Sequence, residues 1–476
     1  MHKQYSMYLA QIKAKIIELE ELLKPKFTYV SILATDVNGI SVRVGQKQKS
    51  ISDYMLSERG FVIRVYQEGL YSEYSFNVLD VENIEILADK VTKKFNDHYR
   101  FIKELALTIY QTPMIKEEKT ELFTEKEVAI MPSAIPIATV VDTLSNISDK
   151  GYEYDERIFE FQVSLSMVNV SKLFISSSKQ LAQSYIFSEA AMAALARDNE
   201  QVKMDYRVLS GLKGAEIIDE LNLKIDETAS STMALFAAER VEPGLYDVIC
   251  TPEVAGLIAH EAFGHGVEMD MFVKNRSLAK SHLNHKIAAD NVSMHDGALC
   301  AENTSSYLFD DEGVLAQDTK IIANGILENG ICDTLSALRL NVQPTGNGKR
   351  QSFERKAYTR MTNTIFMSGD DELADMIASI KHGYLLEGVQ SGMEDPKNWG
   401  IQCMLTKGRE IVDGAFTGKI VNPVIMTGYV PELLCSISMI GKDVAVYGSG
   451  YCGKGYKEYV KAADGGPYIK AKARLG

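Results

Sequence analysis

Apolar residues at Leu9, Ile12, Ile16, Leu19 and Leu23 recur at helical intervals, and Pro25 ends the run. The period then drops to two. "YVSILATDVNGISVRVG" alternates on either side of Asn38-Gly39, which predicts a hairpin turning at that dipeptide. Strand-like material continues to about residue 77, and residues 81–111 read as mainly helical up to Pro113. Residues 112–135 are charged and then proline-bearing, which predicts a linker between two sub-domains. "RIFEFQVSLSMVNVSKLFISSS" (157–178) predicts a pair of strands, and "ASSTMALFAAERV" a helix. The sequence Glu242-Pro243-Gly244 breaks the pattern, so the expected division is an N-terminal domain of residues 1–242 and a C-terminal domain of residues 243–476.

Beyond the break the chain is turn-rich. "FDDEGVL", "IIANGILENGIC", "LTKGREIVDGAFTGKIV" and "GKDVAVYGSGYCGKG" predict short strands joined at Gly, Asn and Asp turns. One segment departs from this. "LYDVIC" is strand-like, Thr251 suits an N-cap, Pro252 the first helical position and Glu253 the first turn, so a helix is expected through "EVAGLIAHEAF" to Gly264. The fold class this predicts is α+β: a mixed N-terminal region, then a mainly β domain carrying one inserted helix. No internal repeat is visible.

At 476 residues the chain exceeds what one hydrophobic core usually organises. Its 51 basic and 64 acidic residues give a net charge of −13, which argues against nucleic acid as a partner and gives no support for an anionic membrane surface. The N-terminal stretch lacks the features of a secretory signal, and no window approaches the roughly 18 apolar residues of a membrane span. Six cysteines (250, 300, 332, 403, 435 and 452) are scattered without close pairs, which reads as reduced, mostly buried thiols and a cytoplasmic setting.

The chemistry concentrates in the inserted helix. "GLIAHEAFGHGVEMD" places His260 and His265 five residues apart around Glu261, one more than the usual zinc-helix spacing. In a regular α-helix five positions separate two side chains by about 140° around the axis, against about 40° for four, so the imidazoles could not share an ion. A local widening to i→i+5 bonding winds at about 80° per residue and returns them to one face. Gly264, just before the second histidine, would give the backbone that latitude. The spacing therefore predicts a visible helix distortion. A catalytic zinc site wants three protein ligands and an open position, so one more is needed. His282 and His285 sit in a lysine-rich polar stretch that reads as a solvated face, and His295 and His382 have no recognisable partners.

"HEAFGHGVEMD", "FDDEGV", "NGIL", "PTGNGKR", "RMTNT" and "GYCGKG" occur here in the order found in the TldD/PmbA metallopeptidases, across roughly residues 244–455. The chain resembles that family. The resemblance implies an HExxxH zinc peptidase with one Zn2+ per chain, whose third ligand is a cysteine near the C-terminus, which here falls on Cys452. It also implies a dimer, either of two copies or with a TldE/PmbA-like paralogue that lacks the motif; this chain keeps the motif and resembles the active kind. "GSGYCGKG" superficially fits two nucleotide-binding patterns. One would need a following helix in a βαβ unit, and the other a Ser or Thr where Gly455 stands.

Two neutral imidazoles and a thiolate would leave the ion at net +1, so it acidifies water less than a three-histidine site does. A general base then matters more, and Glu261 is the candidate to take the proton from zinc-bound water and pass it to the leaving amine. Glu268 and Asp270 match the family's acidic pair. They are candidates to orient an imidazole, the alternative being helix-end acids facing water. Asn347 and Arg360 are candidates to hold peptide backbone or a terminal carboxylate. The expected substrate is an unfolded or extended peptide. A zinc hydrolase of non-peptide amides, or a non-catalytic subunit of a peptidase complex, are the competing readings.

Overall fold

The computed structural model describes residues 4–104, 111–454 and 458–476. The architecture is α+β, built around one large sheet in the N-terminal half and two sheets in the C-terminal half. The helix Met7–Leu23 forms as its spacing predicts: Leu9, Ile12, Ile16, Leu19 and Leu23 are all buried, and the Ser6 hydroxyl accepts the Leu9 N–H. It packs with helix Ile84–Glu104 over one end of the large sheet. Residues 105–110, the end of the predicted 81–111 helix, lie outside the described residues.

The large sheet has eight strands, with Tyr29–Val44 and Ile158–Ser176 at its centre. Three expectations need correction here. Tyr29–Val44 is one continuous strand and not a hairpin. Asn38-Gly39 marks a change of partner: Tyr29–Val37 pair with Glu58–Tyr66, and Ile40–Val44 with Lys49–Asp53. The chain crosses between these partners at Tyr54, whose N–H donates to the Gly39 carbonyl at 2.9 Å. A Cβ on Gly39 would lie 2.7 Å from the Met167 carbonyl oxygen, so glycine serves this close approach rather than a turn. Second, residues 157–178 hold a single 19-residue strand, Ile158–Ser176; its partner Lys179–Asp198 begins after the turn at 177–178. Third, residues 112–135 are no free linker, because Thr120–Lys126 docks as a parallel edge strand on Lys179–Asp198.

In the C-terminal half, strands His382–Asp395, Gly244–Cys250, Ile469–Leu475, Val424–Tyr429 and Gly400–Val412 pair in that order, and the last pairs back with the first. The sheet thus closes on itself. A second sheet places Ala463–Gly466 beside Asn363–Phe366 and Ala445–Tyr447. The chain leaves strand Gly244–Cys250 into the helix starting at Pro252, which runs between these two sheets. From Val254 to His260 every residue of it is buried, consistent with its nearly unbroken apolar sequence. "FDDEGVL" forms a turn closed by a Phe309–Leu315 bridge rather than a strand. Its acids meet the large sheet: Glu312 Oε1 accepts from Arg64 at 2.5 Å, and Asp311 pairs with Lys172.

Candidate metal centre

The widened turn demanded by the five-residue spacing is present. After one turn of α-helix, Ile258–Gly264 is a π-helix, and the His265 N–H donates to the His260 carbonyl five residues back. Gly264 itself has ordinary helical angles (φ −62°, ψ −50°), so its use is not conformational freedom. A Cβ there would stand 2.1 Å from Met361 Sδ, and its absence lets Met361 pack against the turn. The two imidazole rings now face each other edge-on, with centroids 5.3 Å apart.

Cys452 arrives from 187 residues later on the hairpin strand Tyr451–Lys454, which pairs with Glu458–Lys461. Its Sγ lies 3.6 Å from His265 Nε2, and one ligand atom from each of His260, His265 and Cys452 lies within 4.8 Å of the others. A tetrahedral ion with Zn–S of about 2.3 Å and Zn–N of about 2.0–2.1 Å separates sulfur from nitrogen by about 3.6 Å. The donor set fits a zinc-like ion in chemistry and in that separation. The electrostatics agree. Burial alone would push the Cys452 thiol up, yet the two imidazoles beside it hold it well below its ordinary value. The same contact raises His260 to about 9 against the effect of burial, and His265 well above its usual range. A cation bound among these groups would favour the thiolate in the same way and release protons.

Each imidazole is backed by a carboxylate. His265 Nδ1 lies 3.3 Å from Glu268 Oε2, which leaves Nε2 for Cys452. His260 Nδ1, buried and without a hydrogen bond, has Asp464 Oδ2 at 3.6 Å. Burial raises the Asp464 carboxyl to about 6, with His260 opposing. Glu268 is held at about 2: burial raises it, but Lys454, His265 and Arg360 outweigh that. Asp270 accepts from Lys454 at 2.6 Å and from Lys274 at 2.9 Å. Neither acid is a solvated helix end.

Glu261 follows His260 on the same turn, half-buried, its stem lying against Gly392 of strand His382–Asp395; a Cβ on Gly392 would be 2.4 Å from Glu261 Cγ. Two residues on, Glu394 turns a buried carboxyl toward Gly266 with neither oxygen hydrogen-bonded. Burial raises it far above the usual range; His265 opposes the shift, and Glu261 and Glu268 add to it.

Asn347 and Arg360 do not face a substrate. Asn347 is fully buried and donates to Asp296 Oδ1, the Arg360 carbonyl and Thr362 Oγ1. Arg360, 1% exposed, donates to the Cys452 and Glu458 carbonyls and lies 3.8 Å from Glu268. Both are scaffolding beneath the cysteine hairpin. His282 packs at a tilt against Trp399 and His285 is exposed, and neither joins the ligand cluster. Of the remaining cysteines, Cys250, Cys332 and Cys403 are buried, Cys300 is half-buried and Cys435 is at the surface, the exception to a mostly buried set. Asp464, Glu394 and Lys454 are the site groups that sequence reasoning passed over. Only Lys454 carried a signal, its two-residue offset from Cys452 on a strand.

Known proteins place this arrangement. Residues 243–472 match the family described as PmbA/TldA metallopeptidase C-terminal domain. A metalloprotease of Methanocaldococcus jannaschii is 27% identical over 468 residues, covering 96% of this chain and 99% of that protein. A protein of Saccharolobus solfataricus named zinc metalloprotease TldD homolog is 29% identical over 340 residues, 71% of this chain and 73% of its own length. The solved structure of TldE from Thermococcus kodakarensis shares the fold with a TM-score of 0.76 at 17% identity, over 97% of this chain and 99% of that one. With sequence similarity along nearly the whole length, and a two-histidine, one-cysteine cluster inside the matched domain, the chain belongs to the TldD/PmbA family of metallopeptidases.

Proposed function

We propose that the protein is a zinc-dependent peptidase acting on unfolded or extended peptides, with His260, His265 and Cys452 as zinc ligands and Glu261 as general base. The observation that carries this is the convergence of two imidazoles and one thiol, from segments almost 190 residues apart, within 4.8 Å of one another. Bound there, zinc supplies Lewis-acid polarisation of a scissile carbonyl and a more acidic water. The chain supplies the rest. Glu268 keeps the His265 proton on Nδ1, and Asp464 stands behind His260 in the same role. Glu261, on the turn between the ligands and steadied by Gly392, takes the proton of the attacking water and returns it to the leaving amine.

Extended substrates suit the setting. Strand His382–Asp395 pairs with Asp247–Cys250 only as far as Leu386, and among the described residues no strand pairs with that edge beyond it. This edge runs beside Glu261, where a peptide in β conformation would add through its main chain, tolerant of side-chain identity. The assembly proposed with this reading is a dimer, either of two copies or with a TldE/PmbA-like paralogue that lacks the motif. No described helix is long and apolar enough to cross a membrane. The test is metal content of the purified wild type beside Cys452→Ala. About one zinc per chain, lost or much weakened in the variant, is expected from a three-ligand catalytic site. Equal zinc in both removes Cys452 from the site, and none in either removes the zinc reading.

A further inference from the structure

Cys452 and Lys454 lie two residues apart on one strand, so their side chains leave the same face. Cys452 meets His265, and Lys454 Nζ lands between Glu268 Oε2 at 3.0 Å and Asp270 Oδ1 at 2.6 Å. Both acids belong to the segment just after His265. Arg360, from a third segment, donates to the Cys452 carbonyl and faces Glu268. The four side chains are 1% to 14% exposed. Two buried acids face two buried bases, and the half-exposed Lys274 adds a third cation on Asp270. Buried ionic clusters are poor stabilisers compared with apolar packing, and their best-attested use is to fix registry. The registry fixed here is that of the cysteine hairpin on the histidine helix.

Resting on the zinc reading above, we propose that Lys454 is the positioning residue of the metal centre. It clamps the Cys452 hairpin to the helix and, through Glu268, fixes the His265 ring, so that the donor set is assembled before metal arrives. One side chain thereby governs two of the three ligands, which come from opposite ends of the domain. A purely structural staple would instead affect metal affinity only through fold stability.

The experiment compares full-length wild type, Lys454→Met, Lys454→Arg and the double variant Lys454→Met/Asp270→Asn. Zinc affinity is measured by chelator competition, thiolate ligation by the cobalt(II) charge-transfer band, and metal-free stability by urea unfolding. Lys454→Met is expected to bind zinc about 10–100-fold more weakly, with a diminished thiolate–cobalt band, and Lys454→Arg to recover most of the loss. The double variant removes one of the two acids that lose Lys454, so its metal-free stability should return toward wild type while its zinc affinity stays low. It also decides the matter should the single variant not fold. Zinc affinity within twofold of wild type in the single variant, or affinity recovering together with stability in the double variant, would overturn the proposal. A wild type that takes up no zinc would instead overturn the zinc reading on which it rests.

Discussion

Gly256 gives the sharpest test of how the metal helix is held. It lies one helical turn before His260, on the same side of the helix, where the helix crosses strand Ala463–Gly466. A Cβ at this position would stand 2.6 Å from the Gly465 nitrogen, 2.7 Å from Asp464 Oδ1 and 2.8 Å from Gly465 Cα. Two of these are backbone atoms of a strand paired on both sides, so they cannot swing away. Reaching ordinary contact at 3.4 Å requires 3.4 − 2.6 = 0.8 Å of separation between helix and strand. Overpacking of this kind costs about 1–3 kcal/mol, and with backbone obstacles the upper half of that range applies. Helix propensity works the other way, favouring Ala over Gly by about 1 kcal/mol. Gly256→Ala should therefore be destabilised by a net 1–2 kcal/mol, roughly, where propensity alone predicts stabilisation of about 1 kcal/mol. The two accounts differ in sign. Urea unfolding of the metal-free protein decides between them, and zinc affinity should fall in parallel, because His260 moves away from Asp464 and Cys452. A variant as stable as wild type, with unchanged zinc affinity, would refute the argument that this crossing sets the ligand geometry.

Two further outcomes are expected. Glu261→Ala should keep its zinc and lose peptide hydrolysis by about 10²–10⁴-fold, measured with an unstructured peptide; near-normal turnover would remove Glu261 as the base. Glu58, at the meeting of the two halves, has its carboxyl raised from 4.5 to about 7 by burial, with the Phe353 N–H and Lys172 opposing and Asp311 adding. A raised carboxyl gives its stability in full below pH 4.5 and loses it as pH rises through about 7. Glu58→Gln, always neutral, should gain on wild type between pH 5 and pH 8 by about 1–2 kcal/mol in urea unfolding, since partial exposure screens the full effect. A difference that stays flat across that interval would contradict the assignment.

What could be read from the sequence follows from which constraints are local. The first helix shows in its period because one face is buried and the other is not. The π-turn was legible from His260 and His265 because it follows from angular arithmetic on a helix. The Asn38-Gly39 hairpin failed because a glycine required by close sheet packing carries the same letters as one required by a turn. Residues 157–178 failed for a related reason: a long strand covered on both faces loses the simple alternation that marks its length. Arg360 and Asn347 looked like substrate binders because polar residues inside short motifs such as "RMTNT" and "PTGNGKR" do not reveal their burial; here a buried hydrogen-bond network consumes them.

The groups missing from the sequence reading share a property that explains the site. Asp464, Glu394 and Lys454 act only through pairings between elements far apart in the chain. Asp464 reaches His260 because its strand lies parallel to Asn363–Phe366 beneath the helix. Glu394 reaches the turn because its strand closes the first sheet on itself. Lys454 reaches Glu268 because the cysteine hairpin folds over both. A helix carrying two ligands five residues apart cannot complete a site alone, since its third ligand and the groups that aim its imidazoles must come from other segments. The helix is therefore buried between two sheets rather than laid on a surface, and glycines 256, 264 and 392 stand where a strand or a side chain comes too close to leave room for a Cβ. On this view the extra residue in the motif is what turns His265 and Glu268 toward the hairpin that carries Cys452 and Lys454. Deleting Ala262 to restore four-residue spacing should then weaken metal binding rather than improve it.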